Sequence, residues 1–129
     1  LIPANDKEEK PDIIIIFMGA NDCGSRYVSL STFTRDYEIM MKNIKELCPD
    51  SEIFLMTLPD ANFFSSQDRI DYNKVIENNA TKFSCHLLSL DNVYTRQTSS
   101  QYLCDSIHPN FKGMTSIANV LYNQMKLLA

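Results

Sequence analysis

Six apolar residues in an unbroken row, Ile13-Ile14-Ile15-Ile16-Phe17-Met18, lead directly into Gly19. An amphipathic helix would interrupt such a row with polar positions, and a half-exposed strand would alternate. An unbroken, isoleucine-rich run suits a strand of a parallel sheet that is buried on both faces. It is also too short to cross a bilayer, which takes ~18 apolar residues or more. A parallel strand cannot continue through a tight hairpin; it needs a crossover, usually a helix, before its partner.

The following residues meet that demand. Over residues 29–47, Phe33, Tyr37, Met40, Met41, Ile44 and Leu47 recur at helical spacing, with Ser31 or Thr32 as a cap and Pro49 as the stop. A second apolar run, residues 53–58, is led in by Ser51 and Glu52 and closed by Pro59-Asp60. A second helix is predicted over 68–83 and a third strand over 85–90. After a polar loop at 95–101, an amphipathic helix is predicted over 112–128. It carries Met114, Ile117, Ala118, Leu121, Met125 and Leu128 on one face. Strand–helix alternation of this kind predicts an α/β fold with a parallel sheet and right-handed crossovers. Ligands of such sheets sit beyond the carboxyl ends of the strands.

The 129 residues fit a single domain, 1–129. A net charge of −4 offers no field to attract nucleic acid or an anionic membrane surface. Three strands make a thin sheet, and the leading edge of the first is expected to be bare. Such an edge calls for cover by a missing segment or a second chain. The chain starts at Leu1, and residues 1–10 do not resemble a signal peptide. Sequence before Leu1 is therefore expected, the domain being incomplete at its N-terminus. Cys23, Cys48, Cys85 and Cys104 lack the paired spacing of a zinc site. They read as thiols, and Cys85 with Cys104 is the pair to test for a disulfide.

Two short segments carry chemistry. Asp105-Ser106-Ile107-His108-Pro109 can fold the Asp105 carboxylate back onto one imidazole nitrogen of His108, leaving the other for a nucleophile. Pro109 holds His108 extended. Gly19-Ala20-Asn21-Asp22 places the Asn21 amide at the end of the first strand, where it could stabilise an oxyanion. Gly19 there serves backbone geometry, and Asp22 bonds local amides. The plain alternatives are a turn at Gly19–Asp22 and a helix cap supplied by Asp105 or Asn110. His86, inside an apolar run, reads as a packed residue, and Cys23 as structural.

Together these segments resemble the SGNH hydrolases, also called the GDSL esterase/lipase family. Gly19-Ala20-Asn21-Asp22 is similar to the family's G-x-N-D block, and Asp105-Ser106-Ile107-His108-Pro109 to its D-x-x-H-P block. The resemblance implies a three-layer α/β/α sandwich, flavodoxin-like, with a five-stranded parallel sheet. It implies Asn21 in the oxyanion hole, His108 as general base and Asp105 as its orienting partner. The implied reaction is ester hydrolysis through an acyl-enzyme, with no metal or cofactor, on a small ester such as an acylated carbohydrate or lipid. The family's G-D-S and glycine blocks precede G-x-N-D, yet the 18 residues before Gly19 hold neither serine nor glycine. The nucleophile is thus expected outside this chain, and the chain alone is expected to be inactive. Loops at 23–28 and 60–67 are expected to shape substrate choice. A catalytically silent binding or assembly domain is the alternative from another class. A flavodoxin-like nucleotide receiver would share the layers but leave Asp105 and His108 idle.

Overall fold

The computed structural model describes residues 9–25 and 28–128. Among these, three parallel strands form one sheet in the order β1 (Ile13–Ile16), β2 (Glu52–Met56), β3 (His86–Leu88). Ile16 lies opposite Leu55, and Leu55 opposite Leu87. The strands are shorter than the apolar runs that announce them, although Thr57 still donates its N–H to Leu88 O at 3.0 Å. Residues 1–8 of the predicted lead-in lie outside the described residues.

After a short helix, α1 (Ala20–Ser25), helix α2 (Leu30–Leu47) buries Phe33, Tyr37 and Met41, one per turn along a single stripe. Its cap is Ser29 rather than Ser31 or Thr32: the Ser29 hydroxyl accepts the Thr32 N–H at 3.2 Å. Helix α3 (Ser66–Lys82) starts two residues before the predicted boundary because Ser65 caps it, accepting the Asp68 N–H at 3.1 Å. It ends in a Schellman turn, with Cys85 N–H on Ala80 O and Ser84 left-handed at φ 53°. Both crossovers step in the same direction along the sheet, so right-handedness puts α2 and α3 on the same face. Helix α4 (Phe111–Leu128) covers the other face. Its Gln124 side chain brackets the backbone just past β3, accepting from Ser89 N–H at 2.9 Å and donating to Ser89 O at 2.8 Å. The result is three layers, α/β/α.

Two expectations of burial need correction. The first strand is not buried on both faces: Ile13 and Ile15 are 50% and 48% exposed. The register puts them on the face of Phe54, Met56 and Leu88, which are buried. Helix α4 contacts β3 and stops short of the β1 half of that face. Likewise only part of the predicted face of α4 packs: Ile117 is buried, whereas Met114 and Leu128 are exposed. As expected, the outer edge of β1 has no strand partner among the described residues. His86 stacks on Phe54, its cross-strand neighbour, with ring centroids 4.6 Å apart. All four cysteines are free thiols, as read; Cys85 precedes β3, and Cys104 lies on the loop before α4, near the opposite end of the sheet.

Past β2 the chain is fastened by buried Asn73 of α3. Its side chain accepts from Leu58 N–H at 2.7 Å and donates to Leu58 O at 3.0 Å. Replacing Asn73 with Leu strands two buried backbone groups, each worth about 1–3 kcal/mol when orphaned. Asn73→Leu is therefore expected to lower stability by about 2–6 kcal/mol in urea unfolding, with an unchanged m-value. A loss below about 0.5 kcal/mol, the range of ordinary surface changes, would show that Leu58 finds other partners.

Candidate active site

The parallel sheet sends the loops after β1 and β2, and the segment before α4, to one rim. Gly19 leaves β1 with φ +118°, and an added Cβ would lie 2.9 Å from the Phe33 ring. Both observations require glycine. The turn does not continue as a loop, which corrects the turn reading of Gly19–Asp22. Gly19 O accepts the Cys23 N–H at 2.9 Å and opens a short helix, α1 (Ala20–Ser25), with Cys23 buried beneath it. Asn21 stands exposed in the first turn of α1. Asp22 faces elsewhere, into a hollow shared with Phe33 and Tyr37.

The segment at 103–109 is closed by its backbone. Leu103 and Pro109 form an antiparallel bridge, and Cys104 N–H donates to His108 O at 2.7 Å. Inside this loop Asp105 Oδ1 accepts the backbone N–H of Ile107 at 2.8 Å and of His108 at 2.7 Å. Its Oδ2 lies 2.7 Å from His108 Nδ1. Donation by the His108 backbone N–H, then by that of Ile107, then by the imidazole, lowers the Asp105 pKa to about 2. At neutral pH the carboxylate is ionised and only accepts, so Nδ1 must carry the proton in this bond. In the neutral ring Nε2 then presents a lone pair.

The helix that follows is capped by Asn110, not Asp105. Asn110 Oδ1 accepts Gly113 N–H at 2.9 Å, and its amide donates to Gln101 O at 3.0 Å. A Cβ on Gly113 would fall 2.1 Å from Tyr102 O, so glycine lets α4 approach this closely.

Asn21 and His108 line the same cleft, of about 240 Å³. Phe17, Phe64, Tyr94 and Ile107 supply much of its apolar wall. No serine, threonine or cysteine lines it among the described residues. The structure thus brings Asn21, His108 and Asp105 to one place, leaves Asp22 outside it and gives Gly19 a backbone role.

Sequence reasoning missed the residues that hold the rim. Arg96 donates from Nη2 to Phe64 O at 2.6 Å and to Ala61 O at 3.3 Å. Asp60 accepts the Arg96 N–H at 3.1 Å and lies 3.6 Å from Arg69 Nε. Loop 60–67 is therefore pinned, and Phe64 from it enters the cleft wall. Of loop 23–28, residues 26 and 27 lie outside the described residues.

A family model for the GDSL-like lipase/acylhydrolase family matches residues 2–115. Among curated proteins no sequence matches. A solved structure from Lactobacillus plantarum is 20% identical with a TM-score of 0.82, covering 95% of this chain and 70% of that one. A protein of Parabacteroides merdae, described as GDSL-like lipase, is 20% identical with a TM-score of 0.74, covering 91% of this chain and 61% of that one. The lipase/acylhydrolase from Enterococcus faecalis is 22% identical with a TM-score of 0.67, covering 90% and 63%. The chain thus spans less than two thirds of the length of the last two. At these identities the likeness establishes the fold.

The low pKa of Asp105 is open to direct titration. Its folded value lies below the ordinary 3.8, so the turn gains stability above that pH and loses it as pH falls through about 2. The Asp105 carboxyl ¹³C signal is expected to titrate near 2. A midpoint at the ordinary value would mean that the backbone amides of Ile107 and His108 do not hold it.

Proposed function

The chain belongs to the GDSL-like lipase/acylhydrolase family, and from that premise we propose that it carries the base, the orienting carboxylate and one oxyanion donor of a serine ester hydrolase. The observation that carries this reading is the 2.7 Å Asp105–His108 bond beside a cleft that Asn21 also lines.

In this reading His108 Nε2 takes the proton from a seryl hydroxyl as its oxygen attacks the ester carbonyl. The carbonyl π-electrons move onto oxygen, and the Asn21 amide donates to that oxyanion. Asp105 holds the ring in the Nδ1–H tautomer and stabilises the imidazolium. The imidazolium protonates the departing alcohol as the ester C–O bond breaks, leaving an acyl-enzyme. Water, deprotonated in turn by His108, hydrolyses the acyl-enzyme to free acid and regenerated serine. The apolar wall of Phe17, Phe64 and Ile107 favours an ester with an apolar portion next to the carbonyl.

The seryl hydroxyl comes from polypeptide outside this sequence. Three observations support that placement. The cleft wall offers no serine among the described residues. Neighbouring structures of the fold are longer than this chain. The outer edge of β1 is unpaired and Ile13 and Ile15 beside it are half-exposed, so a further strand and its cover can dock there. On this reading the 129 residues alone are expected to be inactive.

Esterase kinetics on the intact protein test the assigned roles. Asn21→Ala is expected to lower kcat roughly 10²–10³-fold, the usual effect of deleting one oxyanion donor. His108→Ala is expected to lower it by roughly 10⁴-fold or more, because triad members act as a unit. Both side chains are exposed, so melting temperatures stay near wild type. Near-normal turnover in either variant would remove that residue from the mechanism.

A further inference from the structure

We propose that Phe63 is a positioning residue that sets the Asn21 amide in register with the His108–Asp105 pair. The inference rests on the acyl-transfer reading of the cleft, and Phe63 does not itself line that cleft.

Phe63 touches both halves of the site. Its backbone N–H donates to Ser106 O at 3.2 Å, within the loop between Asp105 and His108. Its ring lies against Gly24 in α1, where an added Cβ would fall 1.8 Å from Cε1 and 2.0 Å from Cδ1. Glycine is a poor helix former. Its place within α1, three residues after Asn21, is explained by a ring that needs bare backbone to rest on. One residue thus spans from the helix that carries the oxyanion donor to the loop that carries the base.

Phe63 is itself held from behind. Its ring packs edge-on to buried Phe64, with centroids 5.5 Å apart and planes at 76°. Arg96 fixes the carbonyls of Ala61 and Phe64 on either side. A residue anchored in this way transmits the position of the sheet's rim to α1 and to the 104–109 loop together. A shift of about 1 Å between catalytic groups can lower rates ~10²-fold, so such a brace matters to turnover.

Two readings on Phe63→Leu in the intact protein test this. In NMR spectra the side-chain amide signals of Asn21 are expected to move more than the ring signals of His108, because leucine keeps the backbone bond to Ser106 O but not the ring on Gly24, with the melting profile close to wild type. In kinetics kcat is expected to fall roughly 10–100-fold with KM nearly unchanged. Asn21→Ala should then lower kcat roughly tenfold less in the Phe63→Leu background than in wild type, because the two losses share one cause. Unmoved Asn21 signals, or full additivity of the two substitutions, would overturn the role. If Asn21→Ala is harmless in wild type, the acyl-transfer reading fails instead, and the NMR signals alone decide on Phe63. Should Phe63→Leu not fold, Gly24→Ala displaces the same ring from the other side and is read by the same outcomes.

Discussion

Parallel pairing commits the carboxyl ends of all three strands to one side of the sheet, and the site follows from that. Ile16 aligned with Leu55, and Leu55 with Leu87, places Gly19, Pro59 and the segment after Leu88 along one rim. Each crossover helix then has to return to the opposite end, which the chain does through α2 and α3. Asn21 and His108 come from far apart in sequence, yet they share a cleft because the sheet offers a single rim on which to meet. Gly19 is where this constraint is sharpest: its positive φ turns the chain from strand into α1 within a residue.

Hydrogen bonds of unequal reach make that rim rigid. At short range Asp105 gathers two backbone amides and an imidazole, three bonds that order the loop and the ring together. At long range Asn73 occupies both backbone groups of Leu58, and Arg96 ties down the carbonyls of Ala61 and Phe64. A buried amide such as that of Asn73 stays only where its partners are supplied, because an orphaned one is destabilising. The ionised Asp105 and the protonated Nδ1 are one consequence. The His108 ring is held in the Nδ1–H tautomer by the same carboxylate that orders the loop.

The sequence was informative where the interaction is local. The Asp105–His108 bond spans three residues, and spacing plus chemistry suffice to anticipate it. Strand and helix order could likewise be read from apolar periodicity. Burial could not, because it depends on what stands beside an element: Ile13 and Ile15 look like core but lie beyond the reach of α4. Helix α1 was hidden because Gly19, Asn21, Asp22 and Gly24 are turn formers, and only the packing of Cys23 and Phe63 makes a helix of them. The Arg96–Phe64 bond spans 32 residues and leaves no trace in spacing. Ser84 took a left-handed turn that glycine usually fills, so the end of α3 lacked its usual signal.

In the proposed mechanism this chain contributes base, carboxylate and oxyanion amide to a serine nucleophile carried elsewhere in the protein. Mapping the adduct of a fluorophosphonate on the intact protein by peptide mass spectrometry tests that most directly. A single labelled serine outside these 129 residues is expected, with labelling abolished by His108→Ala. An adduct on a serine within them, or undiminished labelling in His108→Ala, would contradict it.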